Sequence, residues 1–258
     1  MKKIVVDIGG SGIRIARVVG GALGQIKRPS VHSMSQLADA IISEAGGKPY
    51  AVAVSVPGFV NAYAGTVRLC RLYPWAQGGF SGTLAERLGT KKVFLVNDGE
   101  AHALAMLKYP GIRFGAICLS FGTSVGFGMI DSNKKIVRSL SGENWDIGGM
   151  RLRTSCSTKE AWYALGSSGL KELEHSIGTN AYPRFGYRLG AFLGDLTEIF
   201  HPLTIALTGG IIQKHWAAMQ NNALQEMKSH VYTVEAPGIV ALQEKETALV
   251  GLIQVVNY

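Results

Sequence analysis

The sequence carries one short unit twice, and that repetition restricts the fold more than any other feature. IVVDIGGSGIRIARV (residues 4–18) is an apolar run ending in an acid, a turn of small residues, and a run of alternating apolar positions. GAICLSFGTSVGFGMID (115–131) has the same form, with Ser120 falling on Asp7, Gly122 on Gly9 and Ser124 on Ser11. Each copy reads as strand, tight turn, strand. A unit that returns in this way marks a duplicated domain.

Strands and helices alternate around the two copies, an α/β pattern. MSQLADAIISEA (34–45) has apolar residues at helical spacing and a stop at Gly46-Gly47; YAVAVSV (50–56) is a strand closed by Pro57-Gly58. FVNAYAGTVRL (59–69) reads as a hairpin, LAERLG as a short helix, KVFLV (92–96) as a strand, and GEAHALAMLKY (99–109) as a helix stopped by Pro110-Gly111. IALTGG (205–210) is a strand entering a turn and a helix, and TALVGLIQVV (247–256) a final helix. The predicted domains are 1–110, joined by the C-terminal helix 246–258, and 111–245. No low-complexity linker separates them, so they are expected to meet across a tight hinge.

Bulk composition narrows the function classes. Hydrophobic residues make up 47% and charged residues 17% of 258, a globular balance. No apolar run approaches the roughly eighteen residues needed to span a bilayer, and the apolar stretch of MKKIVVD ends after three positions, too soon for a signal peptide. Three scattered cysteines, Cys70, Cys118 and Cys156, point to a reducing compartment and a cytoplasmic protein. The net charge of +8 would suit polyanionic ligands. Its lysine and arginine pairs are dispersed, however, so no nucleic-acid or membrane partner is expected.

The two turns carry the chemistry. The P-loop pattern is absent, and GSGIRI runs into strand-like alternation rather than the helix that a dinucleotide fingerprint opens. An anion here would meet backbone N–H groups of a hairpin nest, with Gly9 and Gly10 permitting close approach and Ser11 adding a hydroxyl. Asp7, at the strand end, is placed to hold a hydrated Mg²⁺. A plain hairpin accounts for the same glycines; the second turn, FGTSVGFG (121–128), favours two loops gripping one nucleotide. In VFLVNDGEAHALA (93–105), Asn97-Asp98 stands where strand gives way to helix. Asx residues there serve as helix caps, worth about 1 kcal/mol. The alternative is that Asp98 is a general base, worth about 10²–10⁴-fold; spacing by itself favours the cap. His102 reads as a helix-surface or packing residue.

Five segments in order resemble the ROK family of bacterial sugar kinases, in the actin-like ATPase superfamily. DIGGSGIRIA looks like its first phosphate loop, VSVPGFVNAYAGTV its sugar-side segment, LVNDGEAHALA the segment with its catalytic aspartate, LSFGTSVGFGMI its second phosphate loop and IALTGGII its adenosine-side turn. The resemblance implies an α/β fold of two actin-like (ribonuclease H-like) domains with a central cleft, and transfer of the terminal phosphate of ATP to a hexose hydroxyl. It implies that Asp98 is the general base and that Asn97, Asp146 and Glu160 contact the sugar. By the same resemblance Asp7 acts through Mg²⁺, and Gly9, Gly10, Ser11, Arg14, Gly122, Thr123, Ser124, Gly126, Gly209 and Gly210 line the phosphates and nucleotide. A homodimer is implied as well.

The sequence departs from the family at two places. The usual E-I-G-H reads DIGGM (146–150), with Asp146 for Glu and Gly149 for His, and of the zinc-binding cysteine cluster only Cys156 and Glu160 remain. One cysteine cannot build a structural zinc site, so no zinc is expected. The missing zinc cluster and the short chain resemble polyphosphate-type glucokinases, which makes polyphosphate an alternative donor, although Gly149 departs from that subset, which keeps the His; Gly149 and the missing cluster make a degraded sugar sensor a further alternative. In LYPWAQGGF (72–80), Trp75 reads as a sugar-stacking ring or a buried loop anchor, and nearby Arg68 and Arg71 as recognition of an acidic sugar or as surface residues.

Overall fold

A computed structural model describes residues 1–153, 158–232 and 234–257, with Arg153 described by its backbone only. These residues form two compact units. The first comprises Met1–Pro110, Ile136–Trp145 and the chain from Glu246 on; the second comprises Gly111–Lys135 and Asp146–Lys245. The segment 136–145, expected in the second half, therefore belongs to the first. Its Asn144 side chain accepts from Val60 N at 2.8 Å, and Glu143 takes a two-pronged ion pair from Arg68 at 2.7 and 2.9 Å. Such non-local contacts leave no local sequence signal.

The first unit runs β1 (Lys3–Gly9), β2 (Gly12–Val19), β3 (Ala22–Lys27), α1 (Met34–Ala45), β4 (Ala51–Val56), β5 (Phe59–Asn61), β6 (Thr66–Leu69), α2 (Phe80–Leu88), β7 (Val93–Asn97) and α3 (Asp98–Ala105). Its sheet has the order β3-β2-β1-β4-β7, with β1, β4 and β7 parallel and β2 antiparallel to β1. Strand alternation divides the core in two. Ile4, Val6 and Ile8 of β1 face the layer that holds Leu37 and Ile41 of α1 and Phe80 and Leu84 of α2. Val5 of β1 and Ala53 of β4 face the other layer, with Ala101 and Leu104 of α3 and with Leu249, Leu252 and Ile253 near the C-terminus.

The second unit runs β8 (Ala116–Phe121), β9 (Val125–Ile130), β10 (Arg151–Arg153), β11 (Thr158–Glu160), α4 (Ala161–Ala164), α5 (Ser167–Ile177), α6 (Ala181–Phe200), β12 (Thr204–Thr208), α7 (Gly210–His230) and β13 (Gly238–Ala241); α8 (Thr247–Val256) returns to the first unit. Its main sheet has the order β13-β12-β8-β9. The arrangement β9-β8-β12-β13 matches β2-β1-β4-β7, an antiparallel hairpin followed by two parallel strands. The repeat seen in sequence is thus a repeat of topology. The turns differ by one residue: Gly10 and Ser11 separate the closing pair Gly9–Gly12, whereas Gly122, Thr123 and Ser124 separate Phe121 from Val125.

The sequence signals no helix between 167 and 200, where the structure has α5 and the twenty-residue α6. Among the described residues, no helix is long and apolar enough to cross a membrane.

Candidate active site

Three parallel strands bring polar residues to one edge of the first unit's sheet. β1 and β4 pair with Asp7 opposite Ser55, and β4 and β7 pair with Val56 opposite Asn97. The C-terminal edge of parallel strands is where open α/β sheets bind ligands. Asp7 continues the stripe that begins with Val5, so its carboxylate lies on the α3 and α8 side of the sheet.

The Asp7 carboxylate is almost fully buried and has one partner on each oxygen. Ser55 Oγ donates to Oδ1 at 2.6 Å, and Arg14, its cross-strand neighbour on β2, pairs with Oδ2. Arg14 also reaches Glu246 Oε2 at 2.7 Å, and Arg28 holds the other Glu246 oxygen at 2.9 Å. Burial acts to lower the Arg14 pKa, but Asp7 and Glu246 outweigh it and hold the guanidinium above its usual value. Arg14, expected on the phosphate, is therefore turned onto two carboxylates: a buried cation is stable only when paired.

The turn after β1 is a two-residue hairpin whose positive φ of 115° falls at Gly12. Gly10 and Ser11 are exposed, and Gly9 is half-buried, its carbonyl accepting from the Tyr73 hydroxyl at 3.0 Å. Tyr73 packs edge-on to Trp75, which is half-buried against the apolar layer. Trp75 thus has the loop-anchor contacts, and Arg68 is ion-paired with Glu143.

Of the two roles read for Asn97-Asp98, Asn97 takes the cap. Asn97 is the N-cap of α3: its Oδ1 accepts from Gly99 N at 2.8 Å while Glu100 reaches back to Asn97 N at 3.1 Å, a complete capping box. Its amide donates to Gly58 O at 3.0 Å and Val56 O at 3.4 Å. Both donor hydrogens are used, so the sugar contact expected of Asn97 is reduced to a lone pair on Oδ1. Asp98 is the first helical residue and is left half-buried. Burial, then the negative charge of Asp7, pushes its carboxyl up to about 7. A carboxylate poised there is matched to proton transfer near neutral pH.

Two residues of this edge have no special weight in the sequence. Ser55 had a signal, as the one polar residue in the otherwise apolar β4. His102 lies one turn beyond Asp98; burial lowers its pKa to about 4, and the nearby charges acting on its ring are Asp7 and Arg14.

In the second unit, Thr123 and Ser124 are exposed at the turn and Gly122 is half-buried, its N–H donating to Ser124 O at 3.0 Å. Gly126 lies within β9 rather than in the turn. Gly209 has φ 93° and sits where a Cβ would come within 2.4 Å of Phe121 O, so strand packing alone requires glycine; Gly210 begins α7 and faces open space. Asp146 is exposed, with Oδ1 accepting from Gly148 N at 3.0 Å, and a Cβ at Gly149 would meet nothing within 4 Å. Glu160 is half-buried at the end of β11, and its side chain makes no capping bond to α4. Cys156 lies outside the described residues.

Asp7 is the candidate metal holder. No group of three or more His, Cys, Asp or Glu side chains able to hold a metal occurs among the described residues. Mg²⁺ needs no such cage, since it keeps several waters and uses one or two carboxylates with substrate phosphates. A carboxylate has about four acceptor positions; Ser55 and Arg14 occupy two at Asp7, which leaves room for metal-bound water.

No family model matches the chain. It is 30% identical to the glucokinase of Streptomyces coelicolor, with 81% of each chain covered. It is 29% identical to the xylose repressor of Bacillus subtilis over 55% of this chain, a match that spans only 43% of the repressor. A ROK family glucokinase from Streptomyces griseus, solved in complex with glucose and AMPPNP, superposes over 100% of this chain and 99% of its own, with a TM-score of 0.78 and 19% identity. That likeness is one of fold.

Proposed function

The chain belongs to the ROK family of sugar kinases, and from that premise we propose that it transfers the terminal phosphoryl group of ATP to a hydroxyl of a hexose or hexose derivative, with Asp98 as the general base. The observation that carries this is the carboxyl of Asp98, raised to about 7 at the strand-end edge beside Asp7. A carboxylate with that proton affinity accepts a proton from an attacking alcohol far better than an ordinary surface aspartate.

In the reaction, the sugar oxygen bonds to the terminal phosphorus as the bond from that phosphorus to its bridging oxygen breaks. ADP leaves with the bonding pair, and the sugar hydroxyl proton passes to the Asp98 carboxylate. Phosphoryl transfer needs chiefly positioning and charge stabilisation. The capping box fixes the start of α3 and so the origin of the Asp98 side chain. Ser55 and Arg14 fix the Asp7 carboxylate. Mg²⁺, held through water by Asp7, would neutralise charge on the donor phosphates. Gly9, Gly10 and Ser11, and Gly122, Thr123 and Ser124, are the phosphate-binding residues of this reading. Asp146 and Glu160 are the sugar-side acids, and Gly209 and Gly210 the nucleotide-side turn. We place the protein in the cytoplasm as a zinc-free enzyme and a homodimer.

Incubation with hexoses, amino sugars and acyl-amino sugars, with ATP or polyphosphate and Mg²⁺, tests the reading. The expected result is one or more sugar phosphates formed from ATP, abolished by chelation of Mg²⁺. Sugar binding without phosphorylation by either donor would refute it. Stoichiometric zinc in purified protein would refute the metal assignment.

A further inference from the structure

Helix α3 presents two polar side chains four residues apart, Asp98 and His102, and residues at that spacing share a helix face. Its other face, Ala101 and Leu104, packs in the apolar layer with α8. His102 shares its helix face with Asp98, and Asp7 and Arg14 are the charges near enough to act on its ring. Its Nδ1 is sealed from solvent and has no hydrogen-bond partner among the described residues. Nε2 is not among the sealed unpartnered atoms and no protein group bonds to it among the described residues, so it is the ring's open nitrogen.

This asymmetry fixes the tautomer. A proton on Nδ1 would be a buried donor with nothing to receive it, a rarer and costlier state than a buried bare acceptor. The proton therefore resides on Nε2, the open side. Burial opposes a charged ring more than the Asp7 carboxylate favours it, and the guanidinium of Arg14 opposes it too. A neutral donor is what this edge can use: an imidazolium would pair with the carboxylates of Asp7 or Asp98 and occupy the base, whereas a neutral N–H leaves them free. The acceptor that a phosphate-binding edge supplies is an anionic oxygen.

We propose that His102 is a substrate-binding donor of fixed tautomer, its Nε2–H donating to a phosphoryl oxygen of the phosphate donor. The proposal rests on the kinase reading of the site. A hydrogen bond to a charged acceptor of this kind changes affinity or rate by about 10- to 100-fold.

Two measurements test it. Long-range ¹H–¹⁵N spectra of ¹⁵N-histidine-labelled protein at pH 7, assigned by comparison with His102→Gln, should show the Nε2–H tautomer with and without AMPPNP. Calorimetric titration with AMPPNP and Mg²⁺, together with steady-state kinetics, should show His102→Leu losing about 10- to 100-fold in nucleotide affinity or kcat with the sugar KM unchanged. His102→Gln, whose amide nitrogen lies near the Nε2 position, should recover most of the loss. An Nδ1–H tautomer would overturn the proposal, as would a Leu variant with wild-type affinity and kinetics, or Leu and Gln variants impaired alike. Wild-type protein that phosphorylates no sugar would sink the kinase reading alone; the spectra and the nucleotide titration would still decide the role of His102.

Discussion

Replacing Asp98 with Asn removes a base and also relieves a burden on the fold. The carboxyl titrates at about 7 in the native state against 3.8 in the unfolded chain. Between those values the folded protein holds a proton that the unfolded chain has released. Wild-type stability contributed by this group is therefore present below about pH 4, lost as pH rises to about 7, and level above that. Three pKa units correspond to at most roughly 4 kcal/mol. Because part of Asp98 is open to solvent, screening reduces the expected share to about 1–2 kcal/mol. Each kcal/mol moves the Tm of a chain this size by about 2–4 °C. Thermal unfolding followed by circular dichroism should find Asp98→Asn melting a few degrees above wild type at pH 8, with the gap closing toward pH 4.5. Turnover of the same variant should fall by about 10²–10⁴-fold. The wild-type rate should rise about tenfold per pH unit up to about pH 7 and then level off. A Tm gap of constant size across that range would refute the raised carboxyl, and an Asn variant as active as wild type would refute the base.

Asp7→Asn removes the charge that helps raise the Asp98 carboxyl, so the midpoint of the residual pH–rate profile should move down; a midpoint that stays or rises contradicts the coupling. Ser55→Ala deletes the 2.6 Å bond to the buried Asp7 and should cost about 1–2 kcal/mol in urea unfolding; an unchanged midpoint would mean that the bond adds nothing. Gly251→Ala places a Cβ 1.8 Å from Ala101 O in α3, which forces α8 outward and should cost about 1–3 kcal/mol or more; a variant as stable as wild type would show that the two helices are not held that close.

The first unit was readable to the extent that its signals are local. α1 begins and ends where Ser33 and Gly46 cap it, and the final helix has its expected bounds. At Asn97-Asp98 the cap and the base looked like rival readings of two residues. In three dimensions Asn97 holds the helix start, and the neighbouring Asp98 keeps a half-buried carboxyl whose Oδ1 accepts from Gly99 N at 3.0 Å. Helical spacing gives His102 a face but not what that face meets.

Composition and periodicity alone determined the α/β class, the duplicated hairpin and the acids at the strand ends, because each follows from interactions within a few residues. Tertiary structure decided the rest. Gly186, Gly190 and Gly194, each destabilising a helix by about 1 kcal/mol relative to alanine, argue locally against the helix in which they lie. A Cβ at those positions would meet Met219 O at 2.5 Å, Ala223 O at 2.4 Å and His230 Cβ at 2.4 Å, so the close approach of α7 is what calls for glycine. Pro183 is tolerated because it falls in the first turn, before its missing N–H matters. Likewise nothing near Asp7 in the chain foretells Glu246, which shares Arg14 with it from the far end of the sequence. A buried charge takes whatever partner the fold brings to it, and that choice is made in space rather than along the chain.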